Sequence, residues 1–396
     1  MTKFRAVFLA MLLSLDCSMS HGASGDVDGR QPNAATSPVT VPEHPPVVLE
    51  IEKLFRLQDA TARGVPASVA AQKEIILTVS DMLRDPPSTP SEQLVYYTAA
   101  YVLSGGDPNT ARRLSEVTGL KKKQRDLLGA AALFMMGDKE SAGESFRQIS
   151  LDSLPSALRG RVALALALIE KDTAEIHQKN LGLAIASMPG TLVEESSLRR
   201  SALAYAEGQD ERPFWARLDR YYRRFRTSIF AARFTEDVID SLVVWFSKEQ
   251  PPSLGRTDLL LTSFPVSERR KSYLYLARRA ALAGEIALTE FAARRLRRIS
   301  LENSSDDNIA RLYTALFAIV TSEGDIAAEQ LRSVRREHLS DADQALLNAA
   351  LAVDTTITAP VEESSSSHAG SDTTPIEDRG TQLLNDTKTL IENVRL

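Results

Sequence analysis

Short breaks of small and capping residues recur along most of this chain: Gly105-Gly106-Asp107, Gly137-Asp138, Lys171-Asp172, Gly208-Gln209-Asp210, Gly284-Glu285 and Gly324-Asp325. No other feature restricts the fold as much. A glycine tolerates the positive φ that ends a helix, and an aspartate beside it accepts from free N–H groups of the next helix. Each Gly-Asp step is therefore a helix stop followed by a helix start. In the better-preserved cases the breaks stand roughly 30 to 40 residues apart, the size of one helix-turn-helix unit in a repeat array. The segments between them are rich in Ala, Leu and Arg, their apolar residues recur at helical spacing, and no convincing strand run interrupts them.

The pattern predicts an all-α protein, a degenerate tetratricopeptide-like helical-repeat solenoid built as a right-handed stack of helix pairs. It is degenerate because the strict repeat pattern is absent and because Pro251-Pro252 falls inside the long interval between Gly208 and Gly284. The first helix is expected over Val47 to Arg63, carrying Val48, Ile51, Leu54 and Phe55, and the second over Pro66 to Leu83. With 396 residues, 43% of them hydrophobic and 25% charged, the chain has material for one large domain or two small ones. A net charge of −5 argues against a polycation built for nucleic acid.

The ends differ from the middle. Lys3 and Arg5 precede an apolar run from Ala6 to Leu15, the shape of a secretory signal peptide, with cleavage expected after Ser20 or Ala23. The run is too short to anchor stably in a bilayer. Cys17 is the chain's one cysteine, and Asp16 before it suits lipidation poorly, so a mature chain has neither disulfide nor thiolate chemistry available. The expected organisation is a signal peptide at 1–23, a Pro/Ser/Thr linker at 24–46 and the helical repeat domain at 47–354. A disordered acidic linker at 355–378 and a C-terminal amphipathic helix at 379–396 follow.

The densest stretch runs from Ser187 to Phe234. Pro189-Gly190 breaks the chain, Thr191 and Glu194 read as a capping box, and a helix extends to Gly208. Pro213 suits the first turn of the next helix, in which Phe214, Leu218, Tyr221 and Phe225 share an apolar face. Arg217, Arg220 and Arg224 form a separate stripe about a quarter turn away, where the spacing lets them stay wet. A third helix carries Phe230, Phe234, Val238, Leu242 and Trp245. Ser267 to Ile299 repeats the basic theme, with Leu274, Ala277, Ala281 and Leu282 as its expected buried stripe.

Catalytic, metal and cofactor sites are not expected. Glu194 and Glu195 are neighbours that point about 100° apart on a helix, and both suit the positive end of its dipole better than acid–base catalysis. His177, His338 and His368 have no second ligand at helical spacing, no glycine-rich phosphate loop follows a strand, and no serine sits in a nucleophile elbow. Clustered Arg with Tyr and Phe is a footprint also used for nucleic acid, but an exported protein rarely meets that partner. Three readings of the basic helices stay open: a solvated surface, a match to the chain's own acids, or a docking face for an acidic partner. The docking reading assigns partner binding to Arg217, Arg220, Tyr222 and Arg224.

The phrases PGTLVEESSLRR and YYRRFRTSIFAARF resemble the periplasmic motility protein MotC family, as do AAYVLSGGDPNTARRL (Ala99 to Leu114) and, more weakly, YLYLARRAALAGE (Tyr273 to Glu285). The resemblance covers most of Leu49 to Ala352. It implies a non-enzymatic periplasmic protein that associates with the periplasmic region of the stator protein MotB and supports or regulates flagellar rotation. Two other readings compete, a general helical-repeat adaptor for envelope assembly and a peptidoglycan-cleaving enzyme. The enzyme needs a compact catalytic domain with an acid in a saccharide cleft, and no such domain is evident after Leu351.

Overall fold

The computed structural model of the protein describes residues 45–316, 318 and 324–358. Seventeen α-helices and no strand are found among the described residues. They are α1 (Pro46–Ala62), α2 (Ala67–Met82), α3 (Glu92–Leu103), α4 (Pro108–Ser115), α5 (Lys122–Met136), α6 (Lys139–Arg147), α7 (Ser156–Ile169), α8 (Ala174–Ser187), α9 (Leu192–Glu207) and α10 (Glu211–Phe225). Then come α11 (Ala231–Phe246), α12 (Leu254–Thr262), α13 (Val266–Leu282), α14 (Ile286–Ile299), α15 (Ser305–Ala315), α16 (Gly324–Arg332) and α17 (Asp341–Thr358). The all-α class read from the sequence is the observed one. The signal peptide, nearly all of the first linker, most of the second and the C-terminal helix lie outside the described residues.

The breaks work as stops and starts. Asp107 caps α4 by accepting from the Asn109 N–H at 3.1 Å, and Asp138 caps α6 by accepting from Ser141 N–H at 3.1 Å. Gly137 closes α5 in the left-handed region at φ 94°, where a Cβ would be strained. At the Gly208-Gln209-Asp210 break it is Gln209, at φ 56°, that takes the left-handed conformation instead of the glycine.

The described residues form two compact units. Unit 1 holds those up to Ala204 together with Ala216–Ala231, and unit 2 holds Tyr205–Trp215 and those from Ala232 on. In unit 1, α3 is the central helix, because EQLVYYTAAYVL is apolar nearly all round and buries Leu94 to Leu103 apart from Tyr96 and Tyr97. It packs on α1, α4, α5 and α7. The α1–α3 and α3–α5 contacts are those of stacked helix pairs, whereas α3–α7 skips one pair, which a strictly one-dimensional stack does not do. In unit 2 the packing is sequential from α12 to α17, with α13 also touching α15.

The predicted apolar faces of the central stretch are buried, with Phe214, Leu218 and Tyr221 at 0% exposure and Phe234, Val238, Leu242 and Trp245 at 3% or less. The stripe on α13 requires a correction. Tyr273, Leu276, Ala277 and Ala280 face inward, Leu274 and Ala281 are half-buried, and Leu282 is 51% exposed. The reason is Tyr273, whose hydroxyl finds Asp258 at 2.7 Å, so the large ring can be buried and sets the inward face.

Candidate partner-binding surface

Helices α9 and α10 bring the predicted arginines together, but they do not leave them in water. Glu194, in the first turn of α9, is wholly buried. Its Oε1 accepts from Arg220 Nε at 2.8 Å and from Arg220 Nη2, and its Oε2 lies 3.3 Å from Arg224 Nε. Arg217 Nε donates to Ser201 Oγ on α9 at 3.0 Å. The stripe that was expected to stay wet thus reaches across to α9. A helical wheel fixes a side chain's direction on its own helix and not what the neighbouring helix presents to it. Arg220 and Arg224 keep 34% and 41% of their side-chain surface exposed, Arg223 beside them is exposed, and Tyr222 is half-buried with its ring edge-on to Tyr221.

The capping reading of the Glu194-Glu195 pair holds only in part. Thr191 Oγ1 accepts from Glu194 N–H at 3.4 Å, but the Glu194 carboxylate accepts from Gly190 N–H at 2.6 Å, one residue before the position that a capping box uses. Glu195 is also fully buried. Its Oε1 accepts from Arg199 Nε and Tyr221 OH, both at 2.9 Å, and from Ser228 Oγ at 3.2 Å, while Oε2 is buried without a hydrogen bond among the described residues. Burial, reinforced by the Glu195 charge, pushes the Tyr221 phenol far above its ordinary range, so it remains a donor. Arg199 in turn lies over the Phe230 ring at 4.8 Å.

This arrangement of one carboxylate holding a tyrosine and an arginine recurs three times in unit 2. Asp258 accepts from Tyr273 at 2.7 Å and Arg295 at 2.5 Å, and Asp240 from Tyr275 at 3.1 Å and Arg279 at 2.6 Å. Asp343, 2% exposed, accepts from Tyr313 at 2.7 Å and from Arg278. Arg270, Arg294 and Arg297 of the second basic segment also pair with acids of this chain, Asp306, Glu290 and Asp307. Most of these arginines are therefore paired internally, several of them from helix to helix and Arg199 and Arg294 within their own helix. Nothing in the local sequence announced the buried carboxylates. The one available signal was that EE in the first turn of one helix faces an arginine stripe on the next.

The histidines take local positions. His177 is buried with Nδ1 2.8 Å from Ala167 O, His338 Nδ1 lies 3.1 Å from Asn308 Nδ2, and His368 is outside the described residues. No helix among the described residues is long and apolar enough to cross a membrane.

Comparison with known proteins agrees with the resemblance carried by the central phrases. A relative in Rhizobium meliloti (strain 1021), described as chemotaxis protein MotC, is 30% identical over 321 residues, covering 79% of this chain and 73% of that protein. No solved structure matches. The family model described as chemotaxis protein MotC matches residues 2–392, nearly the whole length, and the chain belongs to that family.

Proposed function

We propose that this motility and chemotaxis protein is a non-catalytic periplasmic factor, exported by its N-terminal signal peptide, that binds the periplasmic region of the stator protein MotB and supports or regulates flagellar rotation. The observation that carries the reading is the family match over residues 2–392. Its physical support is a helix face suited to an acidic partner. Glu194 fixes Arg220 and Arg224, which lowers the entropy cost of presenting their outer guanidinium edges, and Arg223 and Tyr222 stand beside them. Within this reading Arg217 is a supporting residue, since its Nε is taken up by Ser201.

The test is capture of the purified MotB periplasmic region by the full chain, together with restoration of swimming in a strain lacking the protein. Tyr222→Ala with Arg223→Gln should leave the helical spectrum unchanged, weaken capture and reduce swimming. Failure of the unsubstituted chain to capture MotB at low and physiological salt refutes the partner. Normal capture by the folded variant moves the docking site elsewhere.

A further inference from the structure

Unit 1 contains a partly open cavity of ≈60 Å³ between α1, α3, α5, α7 and α9. Two arginines line it, and neither has an ion-pair partner within 4.0 Å among the described residues. Arg161 is 5% exposed, stacks over the Phe55 ring at 3.8 Å, and donates from Nε to Ser104 Oγ at 2.7 Å and from Nη1 to Ala157 O at 2.8 Å. Its Nη2 makes no hydrogen bond among the described residues. Arg200 donates from Nη1 to Ser196 Oγ at 2.6 Å, and its Nε and Nη2 make no hydrogen bond among the described residues. One acid, Asp59, shares the lining and accepts from Leu192 N–H at 2.9 Å. The rest of the wall is largely apolar and includes Phe134 and Leu168.

A buried guanidinium with no carboxylate in contact is costly, and that is the position of Arg161, whereas Arg200 is half-buried; the other strongly buried charges described above are matched by opposite ones. Burial lowers Arg161 to about 10 from its ordinary 12.5, with Asp59 acting against the shift, and Arg200 is lowered to about 10 by desolvation and by the neighbouring Arg199 charge, with Glu195 acting against it. Two guanidiniums and one carboxylate line the wall, an excess of one positive charge, with Glu195 and Arg199 acting on Arg200 in opposite senses from outside it. A monoanion balances that excess, whereas a dianion such as phosphate would bring a second negative charge up to Asp59. The size is equally restrictive. With roughly 10–15 Å³ needed per water-sized group, the cavity accommodates about four to six heavy atoms. A few convergent polar groups in an otherwise apolar pocket is the usual composition of a small-molecule site.

We propose that this cavity binds a small monocarboxylate with a short aliphatic body, its carboxylate taken by the unused N–H groups of Arg161 and Arg200 and its body lying against Phe134 and Leu168. The proposal is independent of the partner reading, because no MotB-facing residue lines the cavity.

The experiment is calorimetric titration of the full chain with propionate, propionamide and inorganic phosphate at constant ionic strength. Propionate should bind one to one, with the modest affinity that so few atoms permit. Propionamide, the same shape without the charge, should bind at least ~10-fold more weakly, because charge-assisted hydrogen bonds are roughly twice as strong as neutral ones. Arg200→Gln should weaken propionate to a similar extent without moving the melting temperature. If that variant fails to fold, the propionate and propionamide comparison on the unsubstituted chain decides alone. Equal binding of acid and amide, tighter binding of phosphate, or no heat with propionate overturns the proposal. So does binding of a peptide with a free C-terminal carboxylate where propionate itself does not bind.

Discussion

Replacing Arg220 by alanine separates an ion pair that builds the fold from one that merely decorates it. Glu194 has no solvent exposure and is held by Arg220, by Arg224 and by the Gly190 N–H. Removing one partner of a fully buried pair costs ~3–5 kcal/mol. Two things reduce that figure here. Arg224 and the Gly190 N–H remain, and Arg220 is itself 34% exposed, so its attraction is screened. About 2 kcal/mol remains, which for a unit of this size lowers the melting temperature by about 4–8 °C. Arg224→Ala should cost about half as much, since its contact is 3.3 Å and its side chain 41% exposed. Arg217→Ala should cost about 1 kcal/mol or less, because Ser201 keeps its hydrogen bond to Gln178 at 2.7 Å. Arg223→Ala, exposed and among the described residues bonded only to a carbonyl of its own helix, should cost about nothing. The assay is urea unfolding followed by circular dichroism, with hydrogen exchange across α9 to locate the loss. If Arg220→Ala shifts the midpoint no more than Arg223→Ala does, the Glu194 pairs do not hold α9 to α10 and the stripe is a solvated surface after all. The ordering also governs how the docking face can be probed. Reversing Arg217, Arg220 and Arg224 to glutamate together would surround a buried carboxylate with three more, so loss of capture by that variant would report unfolding.

Other perturbations test separate parts of the structure. Gly64→Ala places a Cβ 2.1 Å from Thr227 O at φ +87°, where neither the backbone oxygen nor the left-handed conformation can yield, and should lower stability by about 3 kcal/mol or more by thermal melting. Tyr221→Phe removes a donor from buried Glu195, whose Oε2 already lacks one, and should cost about 1.5–3 kcal/mol by urea unfolding. Burial alone would raise the Asp343 carboxyl, but hydrogen bonds from Ser340, Arg278 and Tyr313 outweigh it and hold the group below its ordinary 3.8. A lowered acid stabilises the fold above its unfolded value and loses that contribution as pH falls through the lowered one, so the effect lies below pH 3.8. Asp343→Asn should therefore flatten the acid limb of a stability–pH profile below that point, and an unchanged slope there counts against the assignment.

What was legible in the sequence was whatever a single helix decides for itself. Phe214, Leu218, Tyr221 and Phe225 recur at helical steps, and all four are buried. Gly105 and Gly137 take the left-handed conformation at helix ends and Asp107 and Asp138 cap the helices that follow, as local chemistry requires; Gln209 takes that conformation in place of Gly208, Glu285 makes no side-chain cap, and the predicted break at Gly324-Asp325 lies within the first turn of α16. What failed depended on a neighbour. Leu282 has the composition of a core residue but is exposed, because Tyr273 with Asp258 within reach sets the inward face of α13. Glu194 and Glu195 have the composition of a helix start yet are buried, because their partners arrive 26 residues later in the chain.

The four tyrosine–carboxylate–arginine clamps suggest why so much arginine is compatible with a net charge of −5. Apolar stripes on short Ala- and Leu-rich helices resemble one another, so hydrophobic burial by itself discriminates weakly between one neighbour and another. At Glu195 and Asp343, which are buried, a carboxylate that needs both a phenol and a guanidinium accepts far fewer alternatives, because a mismatched pairing leaves a desolvated charge; Asp240 and Asp258 keep 32% and 20% of their side-chain surface exposed and discriminate less. The arginines and acids joined this way stand 37, 39 and 65 residues apart in unit 2, and the clamp at Glu195 brings in Tyr221 from 26 residues away. These polar groups therefore select which helices meet, while the apolar stripes supply most of the driving force. The same reasoning narrows the search for a docking surface. An arginine committed to a buried acid cannot be given up to a partner without exposing that acid's cost, so a partner must use the outer edges of such residues or arginines like Arg223, whose hydrogen bond returns to a carbonyl of its own helix.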